Sequence, residues 1–313
     1  MSENILIIKL GALGDFIQAA SPFAAIRAYH KDAEITLLTT PPFAGIAERA
    51  PWFDRVVIDS RPKLWQMIGW LDLRAKLKLG DFSFVYDLQT SDRSGFYYKL
   101  FWPGPIPNWS GIAPGCSHPH ANPKRDFMHT IERQREQLEI VGVKDFSDPD
   151  FAWVADDTAR FGLATPFALL VPAGAGHRPA KRWPVEGYAQ VARYLADNGI
   201  QPVILGGDDD AWEAEKITQA VPVAKDLIGQ TTIDDLIALG RRAEIAIGND
   251  TGPMHPIAMA GCRSLVLYSS DSDPALCAQR GDAVTIIRRD SLAELTLEDV
   301  TRSLALGSNN SPS

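Results

Sequence analysis

Residues 4–16 read Asn4-Ile-Leu-Ile-Ile-Lys-Leu-Gly-Ala-Leu-Gly-Asp-Phe16. The run up to Leu10 is nearly all apolar, which suits a strand buried on both faces of a parallel sheet. Gly11 and Gly14 then break the run, and from Phe16 to Tyr29 the apolar residues recur at helical spacing. A strand that turns through glycines into a helix is the opening of a βα unit, and the rest of the chain repeats it. Further strands are expected at Glu34–Thr39, Arg55–Ile58 and Phe82–Tyr86, and a helix at Phe127–Val141. Between them, Trp102 to Arg125 is rich in Pro and Gly and reads as a long irregular loop facing substrate.

After the polar stretch Asp145 to Pro149 the alternation starts again. Strands are expected at Phe167–Val171, Pro202–Leu205, Ala243–Ile247, Ser264–Tyr268 and Val284–Ile287. Helices are expected at Val185–Asn198, Ala211–Ala220, Ile233–Gly240 and Met254–Ala260. The reading is an α/β protein of two parallel-sheet domains, 1–148 and 149–306, with a disordered tail at 307–313. In open sheets of this kind ligands bind at the carboxyl ends of the strands. Two such ends on either side of a cleft are therefore the expected site.

Bulk properties narrow the function classes. The chain has 313 residues, 45% of them hydrophobic, and a formal charge of -8, which argues against a nucleic-acid partner held through many phosphates. Three cysteines with no C-x-x-C pair suggest neither a disulfide framework nor a zinc ribbon, and fit a reducing compartment. No secretion signal or spanning segment is evident, which points to the cytoplasm.

Candidate chemistry gathers at the strand ends. Asp15 is either a helix cap or a carboxylate opening onto the cleft, where it can take a proton from an incoming hydroxyl. Gly11 and Gly14 let a ligand approach the backbone. Gly248-Asn-Asp-Thr-Gly-Pro-Met-His255 again runs from strand to helix, and Asp250, Thr251, Gly252 and His255 form either an anion site at a helix start or a cap with a core histidine. The loop Val171 to Pro184 carries Arg178, Lys181 and Arg182, suited to a polyanion or forming simply an exposed basic loop. In the run Asp208 to Asp210, a carboxylate such as Asp209 accepts from ribose hydroxyls, caps the next helix, or belongs to a metal site. Gln89 and Arg93 follow a first-half strand and offer polar contacts to an acceptor, or are solvent-facing residues of an ordinary loop. Leu64 to Leu79 mixes Trp65, Met67, Ile68 and Trp70 with Lys63, Arg74, Lys76 and Lys78, which fits either peripheral contact with an anionic membrane or packing on its own domain. His118 and His120 have no convincing further ligand for zinc. No G-x-G-x-x-G follows the first strand, which disfavours a nicotinamide enzyme.

Taken in order, Ile7-Ile-Lys-Leu-Gly-Ala-Leu-Gly-Asp15, Asp87-Leu-Gln89 with Arg93-Ser94, His129-Thr-Ile-Glu-Arg133, Lys181-Arg-Trp-Pro184 and Gly248 to His255 resemble glycosyltransferase family 9, the ADP-heptose lipopolysaccharide heptosyltransferases. The resemblance covers about residues 4–305. It implies a GT-B architecture of two Rossmann-like domains, the first holding acceptor and the second nucleotide sugar. It also implies inverting, metal-independent transfer without a cofactor to a lipid-linked saccharide at the inner face of the cytoplasmic membrane. Carried over by motif, Asp15 is similar to the general base, Lys181 to the lysine on donor phosphate, and Asp250, Thr251, Gly252 and His255 to the donor-binding turn. The chain departs from the family at Tyr268-Ser-Ser-Asp-Ser-Asp-Pro274 and at Ala173-Gly-Ala, which bears on the donor more than on the fold. An epimerase, a hydrolase or a noncatalytic nucleotide-sugar sensor on the same architecture is the alternative.

Overall fold

A computed structural model describes residues 3–174, 176 and 178–307. Two compact units divide between Trp153 and Val154. The first runs β1 (Asn4–Ile8), α1 (Leu13–Gln18), α2 (Ala20–Tyr29), β2 (Glu34–Thr39), α3 (Pro41–Arg49), β3 (Arg55–Ile58), α4 (Met67–Leu79), β4 (Phe84–Asp87), α5 (Asp92–Leu100), β5 (Asn108–Gly111), β6 (His118–Pro119) and α6 (Thr130–Glu139). Its six strands are all parallel in the order β3-β2-β1-β4-β5-β6. The order reverses between β1 and β4, so their carboxyl ends frame the crevice where such sheets bind ligands. Ile5 to Ile8 are buried, as an interior parallel strand requires.

The second unit runs β7 (Phe167–Val171), α7 (Val185–Asp197), β8 (Gln201–Ile204), α8 (Ala211–Ala220), β9 (Lys225–Asp226), α9 (Ile233–Arg242), β10 (Ile245–Asn249), α10 (Met254–Met259), β11 (Ser264–Tyr268), α11 (Pro274–Cys277), β12 (Val284–Arg288) and α12 (Leu297–Gly307). Its parallel sheet, β12-β11-β10-β7-β8-β9, has the same winding, with the reversal between β7 and β10. Each unit closes its own core. Trp109, Tyr97 and Leu73 sit in the first, and Tyr188, Trp183 and Ile217 in the second. The two Rossmann-like sheets expected from the alternation are present.

Three expectations are corrected. The stretch from Trp102 to Arg125 contains β5 and β6, because Trp109 is fully buried and Asn108–Gly111 pairs with β4 despite the surrounding Pro and Gly. The helix expected from Phe16 starts earlier, at Leu13, and breaks at Ala19. Pro22 has no N–H to offer the carbonyl one turn before it, so the ladder cannot run through. Residues after Asp87, read as a loop, become α5 from Asp92, with the Ser91 hydroxyl accepting from the Ser94 amide. The expected tail at 307–313 lies outside the described residues except for Gly307, which ends α12.

Candidate active site

In the first unit, β1 and β4 end side by side. Lys9, just past β1, is buried, and its Nζ donates to the Leu88 carbonyl at 3.1 Å, while the Leu10 amide donates to Gln89 Oε1 at 2.8 Å. Gln89 thus ties the two strand exits together. Asp87 ends β4 with no exposure, and its Oδ1 accepts from the amides of Gln89 and Thr90 at 3.1 and 3.0 Å. Burial pushes its carboxyl up to about 6, against those amides, Ser94 and the Lys9 charge. Burial likewise brings the Lys9 ammonium down to about 8, while Asp15 and Asp87 hold it up and Arg133 lowers it further.

Asp15 is the third residue of α1 and half-buried. Its charge is felt both by Lys9 and by Arg133 of α6, whose guanidinium is lowered first by burial and then by Arg125 while Asp15 raises it. The first unit therefore places a partly accessible carboxylate at the mouth of a mixed-charge cluster. Arg133 and Lys9 are legible in the sequence only as members of the motifs His129 to Arg133 and Ile7 to Asp15.

Gly11 sets the turn that leads to Asp15. Its φ is +115°, and a Cβ there would lie 2.7 Å from Phe43 Cε2, a ring already stacked on Phe16 at 4.7 Å. The Gly11→Ala variant is expected to lose about 1–3 kcal/mol of stability through left-handed strain and this clash. A denaturant midpoint unchanged from the parent would show the turn to be more pliable than this geometry.

Gly14 is buried at the second position of α1. Arg93 does not reach toward Asp15 in the contacts it makes: its Nε donates to Tyr97 Oη at 2.6 Å and lies 3.6 Å from Asp59 Oδ2. A terminal nitrogen donates to the Pro62 carbonyl at 3.2 Å, and the guanidinium lies over the Trp70 ring.

In the second unit, the end of β10 meets the loop leaving β7. Asn249 is fully buried; its Nδ2 donates to the carbonyls of Pro172 and Ala173 at 2.8 and 3.2 Å, and its Oδ1 accepts from the Trp183 amide at 3.0 Å. One side chain thus pins both ends of the loop that carries Lys181. Lys181 Nζ donates to Asp250 Oδ2 at 2.7 Å and to Ser272 Oγ at 2.9 Å. Ser272 donates to the same carboxylate oxygen at 2.5 Å, and Gln279 Nε2 reaches Asp250 Oδ1 at 3.2 Å. Burial alone would raise the Asp250 carboxyl, but hydrogen bonds from Lys181 and Ser272 and the Lys181 charge hold it below the usual carboxylate range.

The other expected residues divide. Thr251 and Gly252 lie in the turn before α10, whose Met254 and His255 amides are already spent on the Thr251 and Gly252 carbonyls. His255 is buried, with Nε2 3.2 Å from Gln279 Nε2. Arg182 turns inward to Glu213 at 2.6 Å, to Asp210 at 3.3 Å and to the Gly174 carbonyl, whereas Arg178 is exposed. Asp209 is exposed; Asp210 Oδ2 accepts from the Gly207 amide at 3.0 Å and so closes the 3-10 turn 208–210, while at the start of α8 it makes no capping hydrogen bond. Among the described residues no three His, Cys, Asp or Glu side chains are grouped to hold a metal ion; His118 contacts Ser117 and His120 contacts Glu136. Ser272, Gln279 and Asn249 were not singled out from the sequence, because a polar residue after a strand looks the same whether it faces solvent or a buried carboxylate.

Comparison with known proteins adds a family to this geometry. The model of glycosyltransferase family 9 (heptosyltransferase) matches residues 70–303. A lipooligosaccharide heptosyltransferase 2 of Haemophilus influenzae is 33% identical over 120 residues, 37% of this chain and 34% of the relative, so the match spans about a third of that relative's length. The lipopolysaccharide core heptosyltransferase OpsX of the same organism is 22% identical over 288 residues, 85% of this chain and 79% of the relative. Among solved structures, an E. coli ADP-heptose lipopolysaccharide heptosyltransferase II superposes with a TM-score of 0.81 at 21% identity, covering 98% of each chain.

Proposed function

The chain belongs to glycosyltransferase family 9, and on that premise we propose that it transfers a heptose or a closely related sugar from an ADP-sugar to a lipid-linked saccharide of the lipopolysaccharide core type, at the cytoplasmic face of the membrane. The observation that carries the reading is the family match across residues 70–303. The strand-end chemistry supports it from both units.

In this reading Asp15 accepts the proton of the acceptor hydroxyl as its oxygen attacks the anomeric carbon of the donor. The bond to the diphosphate breaks on the opposite side, so the configuration inverts. Negative charge grows on the departing diphosphate. Lys181 has three N–H donors, and Asp250 and Ser272 take two of them. Among the described residues the third has no partner, which leaves it to meet a phosphate oxygen, and the carboxylate and hydroxyl fix where it points. Preorganised charge of this kind lowers the barrier because it needs no rearrangement at the moment of bond cleavage. The proposed route uses these fixed groups and no divalent ion.

A thermal-shift panel of nucleotide sugars tests the donor. A ligand that binds only the folded protein raises its melting temperature by mass action. ADP-heptose is expected to stabilise more than UDP- or GDP-sugars at equal concentration, and product is expected to form in excess chelator. Preference for UDP-sugars would reject the donor, and donor consumption without any acceptor would move the assignment to an epimerase or hydrolase.

A further inference from the structure

Helix α4 is apolar on two sides. Leu73 and Leu77, with Trp70 packed against them, face the core of the first unit. Ile68, Leu71, Ala75 and Leu79 follow one another at spacings of three and four residues, so they form a second stripe. That stripe is bare: Ile68 is 84% exposed, Leu71 60% and Leu79 89%. The approach to the helix continues it, with Leu64 85% and Trp65 74% exposed. Trp102 is exposed too, and its segment is held against α4 by Arg74, which donates to the Trp102 carbonyl at 3.2 Å, and by Lys78, which donates to the Pro103 carbonyl at 2.7 Å. A contiguous apolar surface of this kind marks a binding face, and a helix apolar on two sides needs two partners.

Charge identifies the second partner. Between residues 61 and 79 stand Arg61, Lys63, Arg74, Lys76 and Lys78 against the single carboxylate Asp72, in a chain whose net charge is -8. A second copy docking through the same patch would bring these cations face to face, because a two-fold interface is self-complementary. An anionic bilayer instead matches both parts, taking the aromatic and aliphatic side chains at the headgroup boundary and the cations at its surface.

We propose that Leu64 to Leu79, with Trp102, is a docking face for anionic phospholipid. The segment from Asp59 to Gln66 leaves the carboxyl end of β3. In a parallel sheet this is the end at which β1 delivers Asp15. The start of the docked face, at Leu64 to Ile68, therefore lies on the same edge of the first unit as the candidate base, and α4 carries the rest toward the opposite edge, where the Gly80 carbonyl accepts from Asn4 Nδ2 at 3.0 Å. This deepens the proposed function, on which it rests for the lipid-linked nature of the acceptor. Arg93 braces the base of the segment through Pro62, Trp70 and Asp59, which gives that residue a positioning role.

The test is co-sedimentation of the full chain with vesicles of phosphatidylcholine alone or doped with phosphatidylglycerol, in low and high salt. Binding is expected only with the anionic lipid and is expected to weaken in salt. The W65S/I68S variant, altered only at exposed positions, should keep its melting temperature and lose about tenfold in vesicle affinity. Absence of binding to doped vesicles overturns the proposal, as does equal binding by the variant. So does a self-association that W65S/I68S abolishes in a protein indifferent to lipid, which would give the face to a second copy. No nucleotide sugar is present in this assay, so its failure and that of the transfer reading are seen separately.

Discussion

Replacing Asp15 by Asn is expected to lower kcat for sugar transfer by about 10²–10⁴-fold while ADP-sugar still raises the melting temperature as it does in the parent. The size of the effect is that of losing a positioned general base. Asn keeps the volume and a hydrogen-bonding oxygen, so the local fold has little reason to change. Asp15 is only half-buried and sits in the first turn of a short helix, where a neutral residue costs at most a few tenths to one kcal/mol of dipole interaction. The donor-contacting groups of the proposed mechanism all belong to the second unit, so donor binding should survive. A variant that turns over within a few-fold of the parent would remove Asp15 from the mechanism. One that loses donor stabilisation as well would show that the residue acts on binding and not on proton transfer.

Replacing Lys181 by Met should damage both stability and donor binding, and the two losses can be separated. Asp250 is held ionised by Lys181, Ser272 and Gln279. Without the ammonium, a mostly buried carboxylate keeps two neutral donors. Breaking such a pair from one side costs about 3–5 kcal/mol, much of it the penalty of the charge left behind. The sign of the pH dependence follows. In the parent, the folded Asp250 has a pKa below its unfolded value, so its contribution is present above the unfolded pKa and is lost as pH falls through the folded one. In Lys181→Met, burial is no longer opposed by the cation. The folded pKa rises, and the variant's deficit should shrink as the solution is acidified. The double variant K181M/D250N should regain most of the folding free energy in chemical denaturation at neutral pH. Donor affinity should stay about 10–100-fold down in calorimetric titration, since the charged donor to phosphate is absent in both. Recovery of donor binding in the double variant would mean that Lys181 only neutralises Asp250.

These expectations trace back unevenly to the sequence. Parallel strands buried on both faces announce themselves as apolar runs, so β2, β7 and β11 are legible to the residue. Short strands whose partners are distant in sequence are not: β5 owes its existence to pairing with β4 and to the buried Trp109, neither of which the surrounding prolines reveal. The same holds at the site. Asp15 and Asp250 are visible because each sits where a strand turns into a helix. The groups that tune them are spread along the chain: Ser272 and Gln279 come from beyond β11, and Arg133 from α6. A sequence displays which residues lie at strand ends, but not which side chains the winding of the sheet brings beside them. Asp208 to Asp210 shows the limit most plainly, since burial alone distinguishes the turn-closing Asp210 from its exposed neighbour Asp209.

The two sheets share one strand order, and among the described residues no strand of one pairs with a strand of the other. Among the described residues every strand pairing lies within one unit, on one side of the division at Trp153 and Val154. Recombination at that junction therefore breaks no β-ladder among the described residues. Chimeras that exchange one half with a relative's are therefore expected to keep both sheets, and if acceptor and donor divide between the halves as proposed above, a single crossover would pair a new sugar acceptor with an inherited activated sugar.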